Sequence, residues 1–105
     1  MIDVVRDARG HRIYLTDERW RHIIDTHPDM KPYRQLVLKT IRIGGRRQDP
    51  LDPAKFKYSR RCADLPPNFT HLVVVVKFEI RYRPRTKEQQ NNFVLTAYLV
   101  SRLKG

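Results

Sequence analysis

The chain has 105 residues, a length that allows one domain, residues 1–105, and excludes a second hydrophobic core. It contains 22 Lys and Arg against 11 Asp and Glu, which gives a formal net charge of +11. Hydrophobic residues make up 40% of the sequence, which excludes disorder over most of the chain. The excess positive charge repels itself in a compact domain and therefore predicts an anionic partner.

The N-terminal segment predicts a β-hairpin. Residues 2–5 and 12–15 have strand character, and residues 7–10 between them are turn formers. A helix is predicted next, over residues 17–26, because Thr16 is a suitable N-cap. One side of this helix carries four residues at helical spacing: Trp20, Ile23, Ile24 and His27. Pro28 disfavours helical geometry at the residue before it, so His27 should end the helix.

A second helix is predicted to open at Pro32 and to end at Gly44 and Gly45. Its apolar stripe consists of Tyr33, Leu36, Val37 and Ile41. Residues 46–53, which are rich in Arg, Pro and Asp, are predicted to form a loop.

The C-terminal half predicts three strands. Residues 56–62 alternate between apolar and polar, and residues 69–80 include four consecutive valines that are typical of a central strand. Residues 81–92 are polar and contain a proline, which predicts a loop, and residues 93–100 form the last strand. The order of elements predicts an α+β fold, in which an N-terminal hairpin and two helices pack on an antiparallel sheet of three to four strands.

Cys62 is the single cysteine, which excludes an internal disulfide and a cysteine-based metal site and favours a reducing cytoplasm. It lies in a strand-like run, where a small core residue is expected. The first ten residues carry charges, so no signal peptide is expected. The longest apolar run, residues 72–76, is too short to span a bilayer, and no membrane partner is expected.

Four segments together resemble the small phage-associated nucleases of the barnase, EndoU, colicin E-type and RelE superfamily. They are IYLTDERW at 13–20, HIIDTHP at 22–28, LVVVVK at 72–77 and FVLTAYL at 93–99. The chain is also loosely similar to the BrnT branch of RelE-like toxins, in which a helix-ending histidine precedes a second helix. Residues 46–53 depart from the pattern, and nothing is carried over to them.

The resemblance implies a RelE/barnase-like fold and an endoribonuclease without metal or cofactor, in which a ribose 2′-hydroxyl attacks the adjacent phosphate. Such a reaction needs a base, an acid and cations for the developing charge. His27 matches the helix-ending histidine and is the first candidate; the alternative is a half-buried histidine that closes the helix. His22 is the second candidate, with simple pairing to Glu18 as its alternative. Their i, i+5 spacing is not that of a helical zinc site.

Three strand residues complete the candidate catalytic set. Lys77 interrupts an apolar strand and would face either a polar cleft or the sheet edge. Thr96 and Tyr98 share one side of the last strand, where they could bind phosphate or stack on a base, although such residues are also ordinary strand formers.

Six basic residues from the two charged clusters are the candidate RNA-binding set: Arg46, Arg47, Lys57, Arg60, Arg81 and Arg83. Arg60 is expected to share its strand side with Phe56 and Tyr58, a pattern typical of base-stacking surfaces, while Arg61 points outward.

The sequence therefore favours RNA as the partner and endoribonuclease as the activity, as in the toxin of a toxin–antitoxin or phage-linked system. The alternative is a basic RNA- or DNA-binding module without catalysis, which charge supports equally. A basic nuclease also predicts an acidic antitoxin or immunity protein as its inhibitor.

Overall fold

The computed structural model describes residues 2–83 and 86–101, with side chains for 2–79 and 91–101. The chain forms, in order, β1 (Ile2–Arg6), β2 (Arg12–Thr16), α1 (Asp17–Thr26), a 3₁₀ helix (Pro28–Tyr33), α2 (Arg34–Ile43), β3 (Gly45–Gln48), β4 (Lys55–Arg61), β5 (His71–Arg83) and β6 (Thr86–Val100).

The predicted N-terminal hairpin and first helix are confirmed. The Thr16 hydroxyl accepts a hydrogen bond of 3.1 Å from the backbone N–H of Arg19, which caps α1. His27 is the C-cap of α1, with φ −129° and ψ 78°, the non-helical geometry that a following proline requires.

The second helix begins at Arg34 and not at Pro32, because Pro32 lies within the 3₁₀ helix. Its end at Gly44 is confirmed and has a steric cause. A Cβ on Gly44 would lie 2.4 Å from the carbonyl oxygen of Thr40 and 2.7 Å from that of Ser59. Only glycine therefore allows the chain to leave α2 and pass this close to β4.

The strands form a single mixed sheet of six strands in the order β1-β2-β6-β5-β4-β3, and the two α-helices pack against it. The α+β class is confirmed, but the sheet is larger than the three to four strands predicted. It is also not purely antiparallel, because β2 pairs with β6 in parallel at Tyr14 and Phe93. All other neighbouring strands are antiparallel.

Of the two predicted loops, the first was confirmed at residues 49–53 and wrong at residues 46–48, and the second was wrong over its described residues. Residues 46–53 contain most of β3, whose backbone pairs with β4 from Gly45 to Gln48. Residues 81–83 and 86–92 extend strands β5 and β6, where Arg81 pairs with Gln89 and Arg83 with Thr86. Backbone pairing satisfies the N–H and C=O groups whatever the side chains are, so strands at an edge or beyond the core need not show apolar alternation.

The hydrophobic core lies between the helices and one face of the sheet. The helices contribute Trp20, Ile23, Val37 and Ile41, and the central strands contribute Leu72, Val74, Val76, Val94, Ala97 and Leu99. Cys62 is buried in the same cluster, as expected. Among the described residues, no helix has the length and apolar character needed to cross a bilayer.

Candidate nucleic-acid interface

The pairing register divides the strand side chains between two faces of the sheet. Leu72, Val74 and Val76 of β5 face the helices, so Val73 and Val75 between them face the other way. We call this second surface the open face. Its described members on β3–β6 are Gly45, Arg47, Lys55, Lys57, Ser59, Arg61, His71, Val73, Val75, Lys77, Glu79, Asn91, Phe93, Thr96, Tyr98 and Val100.

The central valines of the open face, Val73 and Val75, lie outside the hydrophobic core cluster, yet both are buried. Val73 is 3% exposed and Val75 is 9% exposed. Val75 pairs with Lys57 on one side, and Val73 pairs with Tyr98 on the other. Long side chains can lay their apolar portions along neighbouring strands and keep their polar ends in water. The open face is therefore an apolar floor under polar and charged tips.

The described open face of β3–β6 carries five basic residues and one acidic residue, Glu79. Arg47, Lys57 and Arg61 form no ion pair with any described side chain. Lys77 differs, because its Nζ lies 2.9 Å from Oδ2 of Asp52. Its hydrogen bond is the main cause that holds the pKa of Asp52 below the ordinary value.

A concave cavity of about 480 Å³ lies on the open face. Its floor includes Lys57, Ser59, Val73, Tyr98 and Val100. Its wall is the edge strand and the loop after it: Gly45, Arg46, Arg47, Gln48, Asp49 and Pro50. The cavity therefore joins cations, two hydroxyl groups and an apolar floor on a surface that faces solvent.

The structure brings some of the predicted catalytic residues together. Lys77, Thr96 and Tyr98 share the open face, and the ring of His27 lies 5.9 Å from that of Tyr98, centroid to centroid. His22 is exposed in the middle of α1.

They do not converge on one phosphate. Lys77 pairs with Phe93, whereas Tyr98 pairs with Val73. Positions 73 and 77 are four residues apart on β5, which corresponds to roughly 13 Å along the strand. Lys77 is also held by Asp52, which gives it a structural role in the loop before β4. His27 and Tyr98 therefore lie at one end of the open face, and Lys77 lies at a separate position along β5.

The predicted RNA-binding residues divide in the same way. Arg47 and Lys57 lie on the open face and line the cavity. Arg60 pairs with Leu72 and therefore lies on the helix side of the sheet. It shares that side with Phe56 and Tyr58, as expected, but these aromatic residues pack in the core and do not form a base-stacking surface. The side chains of Arg81 and Arg83 lie outside the described residues.

Arg46 belongs to a partly buried polar cluster that the sequence did not predict. We call this cluster the clasp, and its members are Asp7, His11, Arg46 and Tyr58. Arg46 is stacked over the ring of Phe56, with its guanidinium carbon 4.3 Å from the ring centroid. Its Nη1 lies 3.4 Å from Oδ2 of Asp7 and 3.3 Å from Nδ1 of His11. Arg46 is therefore a structural cation.

The clasp joins opposite edges of the sheet. Asp7 follows β1 at one edge, and its Oδ2 accepts a hydrogen bond of 2.6 Å from the hydroxyl of Tyr58 on β4, near the other edge. Its Oδ1 accepts from the backbone N–H groups of Arg9 and His11, which shapes the β1–β2 turn. The sheet must curl strongly to make these contacts.

Burial alone would raise the pKa of Asp7, but hydrogen bonds from Tyr58 and from the backbone of His11 and Arg9 outweigh it and lower the pKa. Burial, reinforced by the bond to Asp7, raises the pKa of Tyr58 well above its ordinary value. The clasp thus holds an ionised carboxylate and a protonated phenol. The turn spacing Asp7–Gly10 was a visible signal for a local role of Asp7, but nothing local indicated its distant partners.

No three His, Cys, Asp or Glu side chains are grouped as metal ligands within the described part of the chain. In comparisons with known proteins, no family model, no curated protein and no solved structure matches this chain. The likeness to the small nucleases therefore stays a prediction from the four sequence segments.

Proposed function

We propose that this protein binds RNA on the open face of its sheet. The observation that carries the proposal is the set of unpaired cations around an apolar floor that lies outside the hydrophobic core cluster. Phosphates neutralise such cations and release counterions, and the half-buried ring of Tyr98 offers an edge of the cavity against which a base can stack.

The competing explanation for the charge is general solubility, and the distribution of charge argues for a dedicated surface. Alternation along β3 and β4 places Arg47, Lys57 and Arg61 on one face, while Arg46 is consumed in the clasp. Solubility alone requires no such concentration. Repulsion among cations on one face opposes folding, and a bound polyanion relieves it.

The test is a titration of short single-stranded RNA with purified protein at several salt concentrations, read by fluorescence anisotropy. We expect log K to fall linearly with log salt. The double variant Arg47→Gln, Lys57→Gln should flatten the slope by about 1.4, since each single-strand phosphate contact contributes about 0.7. Arg21→Gln, an exposed cation on α1, is the control and should leave the slope unchanged. An equal effect of all variants would contradict binding on the open face.

A second candidate function is metal-independent cleavage of the bound RNA, and the contact between His27 and Tyr98 favours it. Tyr98 lines the basic cavity, so the imidazole lies at the border of the surface proposed to hold phosphate. Histidine suits proton transfer near neutral pH. As general base it would take the proton of a 2′-hydroxyl, whose oxygen bonds to phosphorus while the bond to the 5′-oxygen breaks. The leaving oxygen takes a proton from water, which gives a 2′,3′-cyclic phosphate and a free 5′-hydroxyl.

Cleavage is tested by incubating total RNA with the protein in EDTA. The expected result is fragmentation that His27→Ala abolishes and His22→Ala leaves largely intact, with circular dichroism confirming that both variants fold. Intact RNA at high protein excess, both free and in a translating extract, would reduce the function to binding alone.

If the protein is a nuclease toxin, its producer needs an inhibitor. An acidic antitoxin or immunity protein that covers the open face would be steered there by charge. The expected signature is an association rate that falls steeply with salt and in the Arg47→Gln, Lys57→Gln variant.

A further inference from the structure

The cavity on the open face has features that a generally basic surface does not need. Its volume of about 480 Å³ falls within the range of small-ligand sites, roughly 300–1,000 Å³. It is bounded on one side by the edge strand β3 and below by β4, β5 and β6. An extended duplex backbone needs only a charged surface, whereas a bounded cavity suits a single inserted group.

Polar and apolar groups are arranged in the cavity as a nucleotide requires. Arg47 of the wall and Lys57 of the floor are direct cross-strand partners, so two unpaired cations lie side by side where wall and floor meet. Val73 and Val100 form an apolar part of the floor, and Tyr98 adds a ring with a hydroxyl. A phosphate would be held at the cations, and the base would lie over the valines and the tyrosine.

Asp49, the one carboxylate among the described lining residues, is already engaged. Oδ1 of Asp49 accepts hydrogen bonds from the backbone N–H groups of Leu51 and Asp52, at 2.8 Å and 3.3 Å. Gln48 is turned to the same loop, where its amide donates to the carbonyl of Pro53 at 2.8 Å. These contacts fix the wall of the cavity and commit Asp49 to the loop, so the cations remain available to an anion.

We infer that this cavity holds one unpaired ribonucleotide, so that the protein takes single-stranded RNA in preference to duplex RNA. The inference rests on the proposed binding of RNA to the open face and adds the class of RNA to it. In a duplex the bases are stacked and paired, so only phosphates and ribose reach a protein surface. A base free to leave the strand can instead enter the cavity and stack there.

Gly45 provides a direct test, because it lines the cavity and a Cβ built on it meets nothing within 4 Å. Gly45→Phe should therefore fill the cavity without disturbing the strand. Val4→Phe is the matched control, since Val4 is an exposed residue of the opposite edge strand on the same side of the sheet. Thermal unfolding of both variants checks that they fold equally well.

Anisotropy titrations with single-stranded RNA of about 12 nucleotides and with its duplex give the decisive comparison. We expect the single strand to bind the unmodified protein about tenfold more tightly than the duplex. Gly45→Phe should remove this preference and leave duplex affinity unchanged within about twofold, and Val4→Phe should change neither.

A second measurement needs no variant. Cytidine 5′-monophosphate should shift the backbone amide NMR signals of Lys57, Val73 and Val100, and inorganic phosphate should shift only that of Lys57 among these three. Equal binding of single strand and duplex, or no nucleotide-induced shift at the two valines, would overturn the inference while leaving RNA binding in place. Failure of both RNAs to bind at low salt would refute the proposed function itself.

Discussion

Replacing Asp7 by alanine should be the most damaging single change in the described part of the protein outside the hydrophobic core. Asp7 is 6% exposed and accepts hydrogen bonds from the Tyr58 hydroxyl and two backbone N–H groups. Its loss leaves the Arg46 guanidinium without its anion and the buried phenol without an acceptor. Removing one partner of a buried charged pair typically costs about 3–5 kcal/mol. A domain of this size has a total stability of about 5–15 kcal/mol, so a large share would be lost.

Urea unfolding at neutral pH, followed by the fluorescence of the buried Trp20, measures this loss. Asp25→Ala, at an exposed acidic position on α1, is the control and should change stability by less than about 0.5 kcal/mol. Tyr58→Phe keeps the carboxylate but removes its shortest hydrogen bond, and should cost about 1.5–3 kcal/mol. If Asp7→Ala is no more destabilising than the control, the clasp does not hold the edges together.

Asp7 should also make the stability of the protein depend on pH, and the direction of its pKa shift fixes the sign of that dependence. The folded pKa of Asp7 lies below its ordinary value of 3.8, so its stabilisation is fully present above that value. The stabilisation is lost as the pH falls through the lower folded pKa, because protonation then favours the unfolded chain. Asp7→Asn should therefore lose less stability than the unmodified protein on acidification below about pH 4.

Three further outcomes are expected. Gly44→Ala places a Cβ 2.4 and 2.7 Å from backbone oxygen atoms and should lower stability by about 1–3 kcal/mol in urea unfolding, while Gly45→Ala should cost far less. Thr16→Ala removes the hydroxyl that caps α1 and should cost about 1 kcal/mol in the same assay, whereas Thr16→Asn should restore most of it. Asp52→Asn frees the Lys77 ammonium on the open face and should tighten RNA binding in anisotropy titrations; weaker binding would show that Lys77 must be held in place.

Elements with strong local signals were predictable from the sequence, including the edge strand β1, but the polar edge strand β3 was not. The N-cap of α1, the proline after it and the valine-rich β5 each depend on residues close together in the chain. β3 has no such signal, because an edge strand of polar residues is recognised only through its pairing with β4. The candidate site was predictable in part for the same reason. Alternation along β6 predicted that Thr96 and Tyr98 share a side, but only the pairing of β5 with β6 shows that Lys77 lies on that side too.

Two adjacent arginines show why the clasp and the open face depend on each other. Arg46 pairs with Tyr58 and Arg47 pairs with Lys57, so successive residues of β3 lie on opposite faces. A slip of one residue would exchange them, placing Arg47 in the clasp and Arg46 on the open face. The ion pair between Arg46 and Asp7 and the close approach of Gly44 to β4 oppose that slip. Asp7 therefore favours the register of β3 that keeps Arg47 beside Lys57, where the phosphate of an RNA strand is proposed to bind.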